Sequence, residues 1–337
     1  MKAIVQHRYG TADDLELREI QVPTPAAHEV LVRVRAASMH ADVWHVVTGQ
    51  PYVLRLMGAG LRKPKNPVPG TDVAGVVESV GKAVTRFRPG DDVFGETIRG
   101  MQWIHGGAFA EFVTAPEDGL VLKPAAVTFE QAAAVPTSAL IALMNLRDFG
   151  RIRAGQRVLI NGAGGAVGSM AVQLAKAFGA EVAAVDCTEK LELLHALGAD
   201  HVIDYTTTDF TKGAGRYNLI LDIPGNHSFT QCQRVLTPEG IWVLVAHDNY
   251  GKGRHRCLGA IPRMLALMVR ALFTRQLPRA TFKLPDRQKA LALLTQLLET
   301  GQLTPHIDRT FPLAEVPAAL RHLQTGRARG KIVITMD

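Results

Sequence analysis

The stretch RVLINGAGGAVGSMAVQLAKAFGAEVAAVD, Arg157 to Asp186, decides the fold. It opens on the apolar run Val158, Leu159 and Ile160 and breaks at a turn made of Gly162, Ala163, Gly164, Gly165, Ala166, Val167 and Gly168. Apolar side chains then recur at Val167, Met170, Ala171, Leu174 and Phe178, the spacing of one face of a helix. A second apolar run ends at Asp186. Strand, glycine turn, helix, strand and acid in this order form the βαβ unit that holds a dinucleotide at the first turn of a parallel sheet. Gly165 lets the backbone approach a pyrophosphate, Gly168 lets the helix pack on the strand, and the helix N-terminus offers free N–H groups to phosphate. Asp186 stands where a carboxylate accepts the ribose hydroxyls of NADH and repels the 2′-phosphate of NADPH. Lys190, one helical turn further on, carries the charge that would attract that phosphate, and an N-cap for the next helix is the other use of Asp186. The cofactor expected is therefore NAD(P)H, with NADH favoured.

Outward from this unit, the chain shows two textures. From Phe129 onward, helical and strand patterns alternate: FEQAAAVPTSALIALMNLRDFG, RVLIN, VGSMAVQLAKAFG, EVAAVD, EKLELLHALG, HVIDY, YNLILDIPG and IWVLVA. Such alternation predicts an α/β doubly wound parallel sheet. A last helix, PDRQKALALLTQLLETG, stops at Gly301, and GKIVITM returns to strand. Residues 1 to about 120 are instead short β-branched runs split by Gly and Pro, such as EVLVRVRAAS and DVAGVVESVG. At 337 residues the chain exceeds one ordinary core. Two domains are expected, a β-rich one at the N-terminal end and a doubly wound one after it, with a ligand cleft between them.

Composition removes several function classes. The N-terminus MKAIVQHRYG reads as a strand and not as an export signal. Cys187, Cys232 and Cys257 are odd in number and scattered, so they build neither a disulfide framework nor a four-cysteine zinc lobe, and a reducing cytoplasm is expected. The net charge of +7 could serve nucleic acid, a membrane surface or a small anion. Aromatic residues make up only 6% of the chain and no RNA-binding signature is present, so nucleic acid is set aside. Much of the positive charge lies between Lys252 and Arg287, interleaved with CLGAIPRMLALMVRALF. That run is too short and too charged to span a bilayer. It is expected to form a helix packed on its own protein, the alternative being a basic helix lying on a membrane surface.

PGTDVAGVVESVG, RFRPGDDVFGE, GAFAEFV, RVLINGAGGAVG, GADHVIDY and GRARGKIVI together resemble, over nearly the whole chain, the zinc-free, quinone-oxidoreductase-like branch of the medium-chain dehydrogenases/reductases. The resemblance implies a GroES-like catalytic domain over 1–122 and 306–337, closed by the C-terminal strand, a Rossmann domain over 123–305, a homodimer and a nicotinamide-dependent reductase. It also implies cofactor contacts at Thr137, Tyr205, Pro224, Gly225, Asn226, Val245, Ala246 and Lys331.

The loop SMHADVWHVVTG, Ser38 to Gly49, bunches His40, Asp42 and His45. Zinc-dependent relatives place a ligand cysteine in this loop and a histidine in a Gly-His-Glu motif, where this chain has His40 and Thr71. One imidazole does not make a tetrahedral site, which needs about three protein ligands, so no metal is expected. Without a Lewis acid an alkoxide is poorly stabilised, whereas hydride delivery to an enone or quinone spreads charge that hydrogen-bond donors can hold. His40, His45 and Tyr52 are the expected donors, Asp42 the expected cap of the following helix, and Trp44 a wall for a flat substrate. The function expected is reduction of a small quinone, enone or aldehyde. A zinc-free alcohol or aldehyde dehydrogenase, or a weakly catalytic nucleotide-sensing or membrane-surface protein, are the alternatives.

Overall fold

A computed structural model describes residues 1–100, 106–245, 256–279 and 286–336. The N-terminal half carries strands β1 (Lys2–Val5), β2 (Glu16–Glu19), β3 (Glu29–Met39), β4 (Asp72–Val80), β5 (Asp92–Glu96), β6 (Phe112–Pro116) and β7 (Leu120–Leu122), with helix α1 (Ala41–Thr48) after β3. The middle of the chain supplies α2 (Phe129–Ala133), α3 (Pro136–Leu143), β8 (Arg157–Asn161), α4 (Ala166–Ala177), β9 (Glu181–Asp186), α5 (Leu191–Ala196), β10 (His201–Asp204), β11 (Tyr217–Asp222), α6 (Phe229–Gln233) and β12 (Leu236–Leu244). Helices α7 (Ile261–Arg270) and α8 (Arg287–Glu299) follow, then β13 (Ile307–Pro312), α9 (Val316–Gln324) and β14 (Lys331–Thr335).

Strands β8 to β12 form one parallel sheet in the order β10-β9-β8-β11-β12. Their side chains are buried on both faces in β8, β9 and β11, which is why they read as continuous apolar runs. The β-rich half builds a second sheet, β13-β14-β3-β4-β5-β7, with β6 also paired to β3. Its centre is β3, which pairs antiparallel with β4, β6 and the C-terminal β14. The tail thus completes a sheet begun near the N-terminus, with Val333 opposite Ser38. A continuous core joins the halves: Ala36, Ala74, Phe94 and Val333 pack with residues of α2, α3, α4 and α8.

Two expected helices differ in the structure. The segment from Phe129 to Gly150 is divided. A Thr128–Gln131 capping box starts α2, and Pro136, which has no N–H to donate, starts a new helix. The chain then widens into a π-helical turn, Met144–Phe149. The second is α7, which packs on its own protein as expected but leaves most of its apolar side chains outward. None of its residues is buried, and Met264, Leu265, Met268 and Val269 are exposed. Arg263, Leu267 and Arg270 supply its inward contacts, as described below.

Between the halves lies a buried charged junction. Asp72 opens β4 and is wholly buried. Its Oδ2 accepts from Ser38 Oγ at 2.7 Å and from Lys331 Nζ at 3.4 Å, and its Oδ1 accepts from the Thr137 N–H at 3.1 Å and Thr137 Oγ1 at 2.5 Å. The carboxylate therefore satisfies a free N–H in the first turn of α3 while holding the C-terminal strand. Lys331 is equally buried and also donates to Ser138 Oγ at 3.0 Å. Burial pushes the Lys331 ammonium down, and the Asp72 carboxylate opposes that shift.

Removing one partner of a buried pair strands the other, so Asp72→Ala is expected to lower the unfolding free energy by about 3–5 kcal/mol. Urea denaturation followed by tryptophan fluorescence measures this. Asp72→Ala combined with Lys331→Met should recover part of the loss, and a single-variant loss under about 1 kcal/mol would remove the junction from any structural role.

Candidate active site

A cavity of about 410 Å³ opens between the halves, floored by the glycine turn and walled by α1, α3 and the segment leading into β14. At its floor, the Gly162 and Ala163 N–H groups both donate to Val185 O at 3.0 Å, which folds the turn back over the sheet edge. Gly162 has φ +82°, a left-handed conformation that suits glycine. Gly168 is required by packing, since a Cβ there would lie 2.1 Å from Gly162 O. Gly165 differs. A Cβ on it would meet only Gly162 O at 3.6 Å, so the protein itself leaves room for a side chain. The absent side chain leaves that room to the cavity, at the N-terminus of α4, where a pyrophosphate finds free N–H groups. A nicotinamide dinucleotide fits this cradle.

The acid and base that follow the turn are engaged with the protein. Asp186 is nearly buried: Oδ2 accepts the Gly164 N–H at 2.7 Å and Oδ1 the Cys187 N–H at 2.9 Å. Lys190 Nζ stands 3.8 Å from Asp186 Oδ1 and donates to Gly326 O at 3.4 Å, and Lys190 lines the cavity. Nearby, the Gly330 N–H donates to Gly164 O at 2.9 Å, so the segment before β14 is fastened to the glycine turn.

The opposite wall is the loop carrying the histidines. β3 runs on to Met39, and His40, not Asp42, occupies the N-cap position of α1; Asp42 falls in the first turn because strand pairing with β14 persists to Met39. His40 is buried, with Nε2 2.7 Å from Thr71 Oγ1 and Nδ1 3.5 Å from Asp42 Oδ2. His45 Nδ1 lies 2.6 Å from Gln50 O. A carbonyl only accepts, so Nδ1 carries the hydrogen and Nε2 of the neutral ring is an acceptor. Trp44 is buried beneath, edge-on to His45, and does not line the cavity.

Of the residues expected to form the site, His40, His45, Thr137, Gly162, Gly165, Ala166, Val167, Gly168, Lys190 and Val245 line one cavity. Tyr52 does not. It is exposed, with its ring 4.7 Å from the Arg55 guanidinium, because the chain turns away at Gly49 and its N–H pairs with Arg256 O. Ala163 is buried beneath the turn, and Gly164 and Asp186 lie behind the lining. Tyr205 is exposed beyond β10. Pro224 packs near Gly162, the Gly225 N–H donates to Asp222 Oδ1, and Asn226 Oδ1 accepts from Asn161, so these three hold the turn after β11. Lys331 is committed to Asp72 and Ser138 and does not reach the cavity. Ala246 lies outside the described residues. Sequence reasoning missed Met144, Asn145 and Phe149, which line the cavity from the π-helical turn, and Met264, Ala328 and Gly330. The glycines and small residues of GRARGK were the available signal for the last two.

Thr137 shows how tightly the polar groups behind the cavity are spent. Its single hydroxyl hydrogen faces Asp72 Oδ1 at 2.5 Å and Glu96 Oε1 at 2.7 Å. Burial, with the nearby Asp72 charge, pushes the Glu96 carboxyl up, although Arg287 Nε at 3.3 Å opposes this. A protonated Glu96 donating to Thr137, which donates to Asp72, satisfies all three groups.

Zinc does not fit here. The His40 Nε2 is taken by Thr71, the Asp72 oxygens by Ser38, Thr137 and Lys331, and among the described residues no three His, Cys, Asp or Glu side chains converge as a metal-binding group.

Residues 26–125 match the alcohol dehydrogenase GroES-like domain family and residues 197–334 the zinc-binding dehydrogenase family. The chain is 32% identical over 343 residues to 2-methylene-furan-3-one reductase of Solanum lycopersicum, covering 99% of this chain and 79% of that one. It is 32% identical to the chloroplastic NADPH-dependent alkenal/one oxidoreductase of Arabidopsis thaliana, over 99% and 79% of the two chains. The structure of the quinone oxidoreductase from Coxiella burnetii superposes with a TM-score of 0.84 at 28% identity, covering 100% of this chain and 99% of that one.

The two glycines give opposite expectations. Gly165→Ala should keep the melting temperature within about 2 °C and weaken NADPH binding roughly tenfold or more, read by quenching of cofactor fluorescence. Gly168→Ala should lower the melting temperature by several degrees because its Cβ meets backbone. Equal cofactor affinity in Gly165→Ala and the wild type would place the pyrophosphate elsewhere.

Proposed function

The chain belongs to the medium-chain dehydrogenase/reductase superfamily, in its zinc-free, quinone-oxidoreductase-like branch, and from that premise we propose that it reduces quinones and α,β-unsaturated carbonyls with NAD(P)H. The observation that carries the reading is the pairing, across one cavity, of a glycine cradle with a histidine wall where, among the described residues, no metal-binding group converges. When bound, the cofactor supplies a hydride. Every remaining task falls to side chains of this protein.

An acceptor in such a site has to delocalise the charge it gains. An enolate or hydroquinone anion does so, whereas an alkoxide formed on a simple ketone does not. His45 and His40 are the residues that would hold the substrate oxygen. Because Nδ1 of His45 is fixed as a donor to Gln50, its Nε2 donates only when the ring is protonated, and the proton it then releases is the one the enolate needs. His40 shares Thr71 and approaches Asp42, which supports a role in holding the proton store beside the cavity. Ile141, Met144 and Phe149 give the flat apolar wall expected for an enone or quinone.

On cofactor choice, the inward turn of Asp186 toward the Gly164 and Cys187 N–H groups, with Lys190 beside it, supports a reading in which Lys190 governs and NADPH is used at least as well as NADH. This reverses the preference expected from the Asp186 position alone. A homodimer and a reducing compartment belong to the same proposal; the free thiols of Cys187, Cys232 and Cys257 support the second.

Steady-state oxidation of NADPH against quinones, enones, aldehydes and simple ketones tests the reading. Quinones and enones should turn over after exhaustive chelation, simple ketones should not, and Lys190→Ala should raise KM for NADPH about tenfold while leaving NADH unchanged. His45→Gln should lower enone turnover roughly tenfold to a thousandfold, and a quinone's less, with cofactor affinity unchanged. Tyr52→Phe should leave both rates as they are. One zinc per chain, with activity lost on its removal, would defeat the account.

A further inference from the structure

Helix α7 is inverted relative to an ordinary surface helix. Its basic residues turn inward: the Arg263 guanidinium donates to Gly225 O and, at 2.6 Å, to His227 O, and Arg270 lies 4.6 Å over the Phe229 ring. Leu267, between them on the same side, packs against the cluster of Phe229 and Trp242. The other side carries Leu265, Met268, Val269 and, just beyond the helix, Leu272 and Phe273, the last two 78% and 84% exposed. Alongside, the Tyr52 and Val53 N–H groups donate to Arg256 O and Cys257 O at 2.8 and 2.9 Å. These bonds bring up a second segment with exposed Leu56, Met57 and Leu61. An exposed apolar patch of this extent marks an interaction site.

Charge identifies what it meets. Residues 249–285 contain eight lysines and arginines and no acid, and residues 43–71 contain four and no acid. The whole chain has a net charge of only +7, so the rest of the molecule is net negative. Among the described residues, Arg62, Lys63, Lys65, Arg256, Arg275 and Arg279 stand exposed around the apolar patch. A second copy of the chain, related by a two-fold axis, would set this basic face against itself. A bilayer carrying anionic headgroups answers the apolar side chains and the cations together. No described helix is long and apolar enough to cross a membrane, so the contact is with the surface.

We propose that α7 and the 52–61 segment dock the enzyme on an anionic lipid bilayer. Met264 is at once exposed on this face and part of the cavity lining, so docking turns the mouth of the site toward the lipid. Apolar substrates dissolved in the bilayer then enter from it. This last clause rests on the reductase reading, whereas the docking does not.

Co-sedimentation of the full chain with phosphatidylcholine vesicles, with and without phosphatidylglycerol, tests the proposal. Binding should be at least about tenfold tighter to the anionic vesicles and should weaken with salt. Leu265→Glu with Phe273→Glu, and separately Arg275→Glu with Arg279→Glu, should each weaken it about tenfold or more while leaving reduction of a water-soluble short-chain quinone unchanged. A long-chain quinone carried in the anionic vesicles should be reduced more slowly by the Leu265/Phe273 variant. Failure of the wild type to bind either vesicle, or variants that bind like the wild type, would overturn docking. So would loss of a dimer in the Leu265/Phe273 variant on sedimentation velocity, with no vesicle binding by the wild type, since the patch would then be a contact between copies. Vesicle binding without turnover of any quinone would leave docking in place and remove the reductase reading instead.

Discussion

The buried Asp72 carboxylate is the contact on which the cleft depends. Four hydrogen bonds from three chain segments end on it: Ser38 from β3, Thr137 twice from the start of α3, and Lys331 from the first residue of β14. Each of those segments also forms part of the cavity wall or leads directly into it. Ser38 precedes the histidine loop, Thr137 faces the cavity, and Lys331 follows Gly330, whose N–H holds Gly164 in the glycine turn. A charge so deeply buried is costly unless every lone pair is used, and here the partners use them. The arrangement therefore fixes the distance between cofactor cradle and histidine wall. It also consumes the oxygen donors that a metal would need.

The same constraint shapes the chemistry. With Thr137 and Lys331 turned to Asp72, and Thr71 to His40, the imidazoles of His40 and His45 stand on the cavity wall as candidates to act on a substrate oxygen. An imidazole ring nitrogen can pass a proton without a metal. The inverted helix at the cavity rim fits a substrate that is apolar and flat. Its arginines grip backbone carbonyls and an aromatic ring of the Rossmann half, which leaves Met264, Leu265, Met268 and Val269 exposed.

The Rossmann half was legible in the sequence because parallel strands buried on both faces read as unbroken apolar runs and the glycine turn has a spacing of its own. The glycine turn was picked out in this way and the two histidines by their bunching in one loop, and the structure brings both to one cavity. The Asp72–Lys331 pair was not, since its members lie 259 residues apart and no local pattern connects them. Lys331 was accordingly assigned to the cofactor, although its neighbour Gly330 makes the contact with the turn. Tyr52 failed for a different reason: it follows a left-handed Gly49 that redirects the chain, and a polar residue near a catalytic loop in sequence need not face the same way. Helix α7 packs on its own protein as expected, but the side that does so was not legible, because periodicity reports a two-sided helix without saying which side meets the protein, and arginine can serve inward when carbonyls and rings await it.

The central claim is hydride delivery to the carbon end of a conjugated system in a site organised by side chains alone. Reduction of an enone by chelator-treated protein with NADPH deuterated at the transferring position, followed by NMR of the product, tests it directly. The account predicts a saturated ketone with one deuterium on the carbon β to the carbonyl. An allylic alcohol with deuterium on the former carbonyl carbon would contradict it.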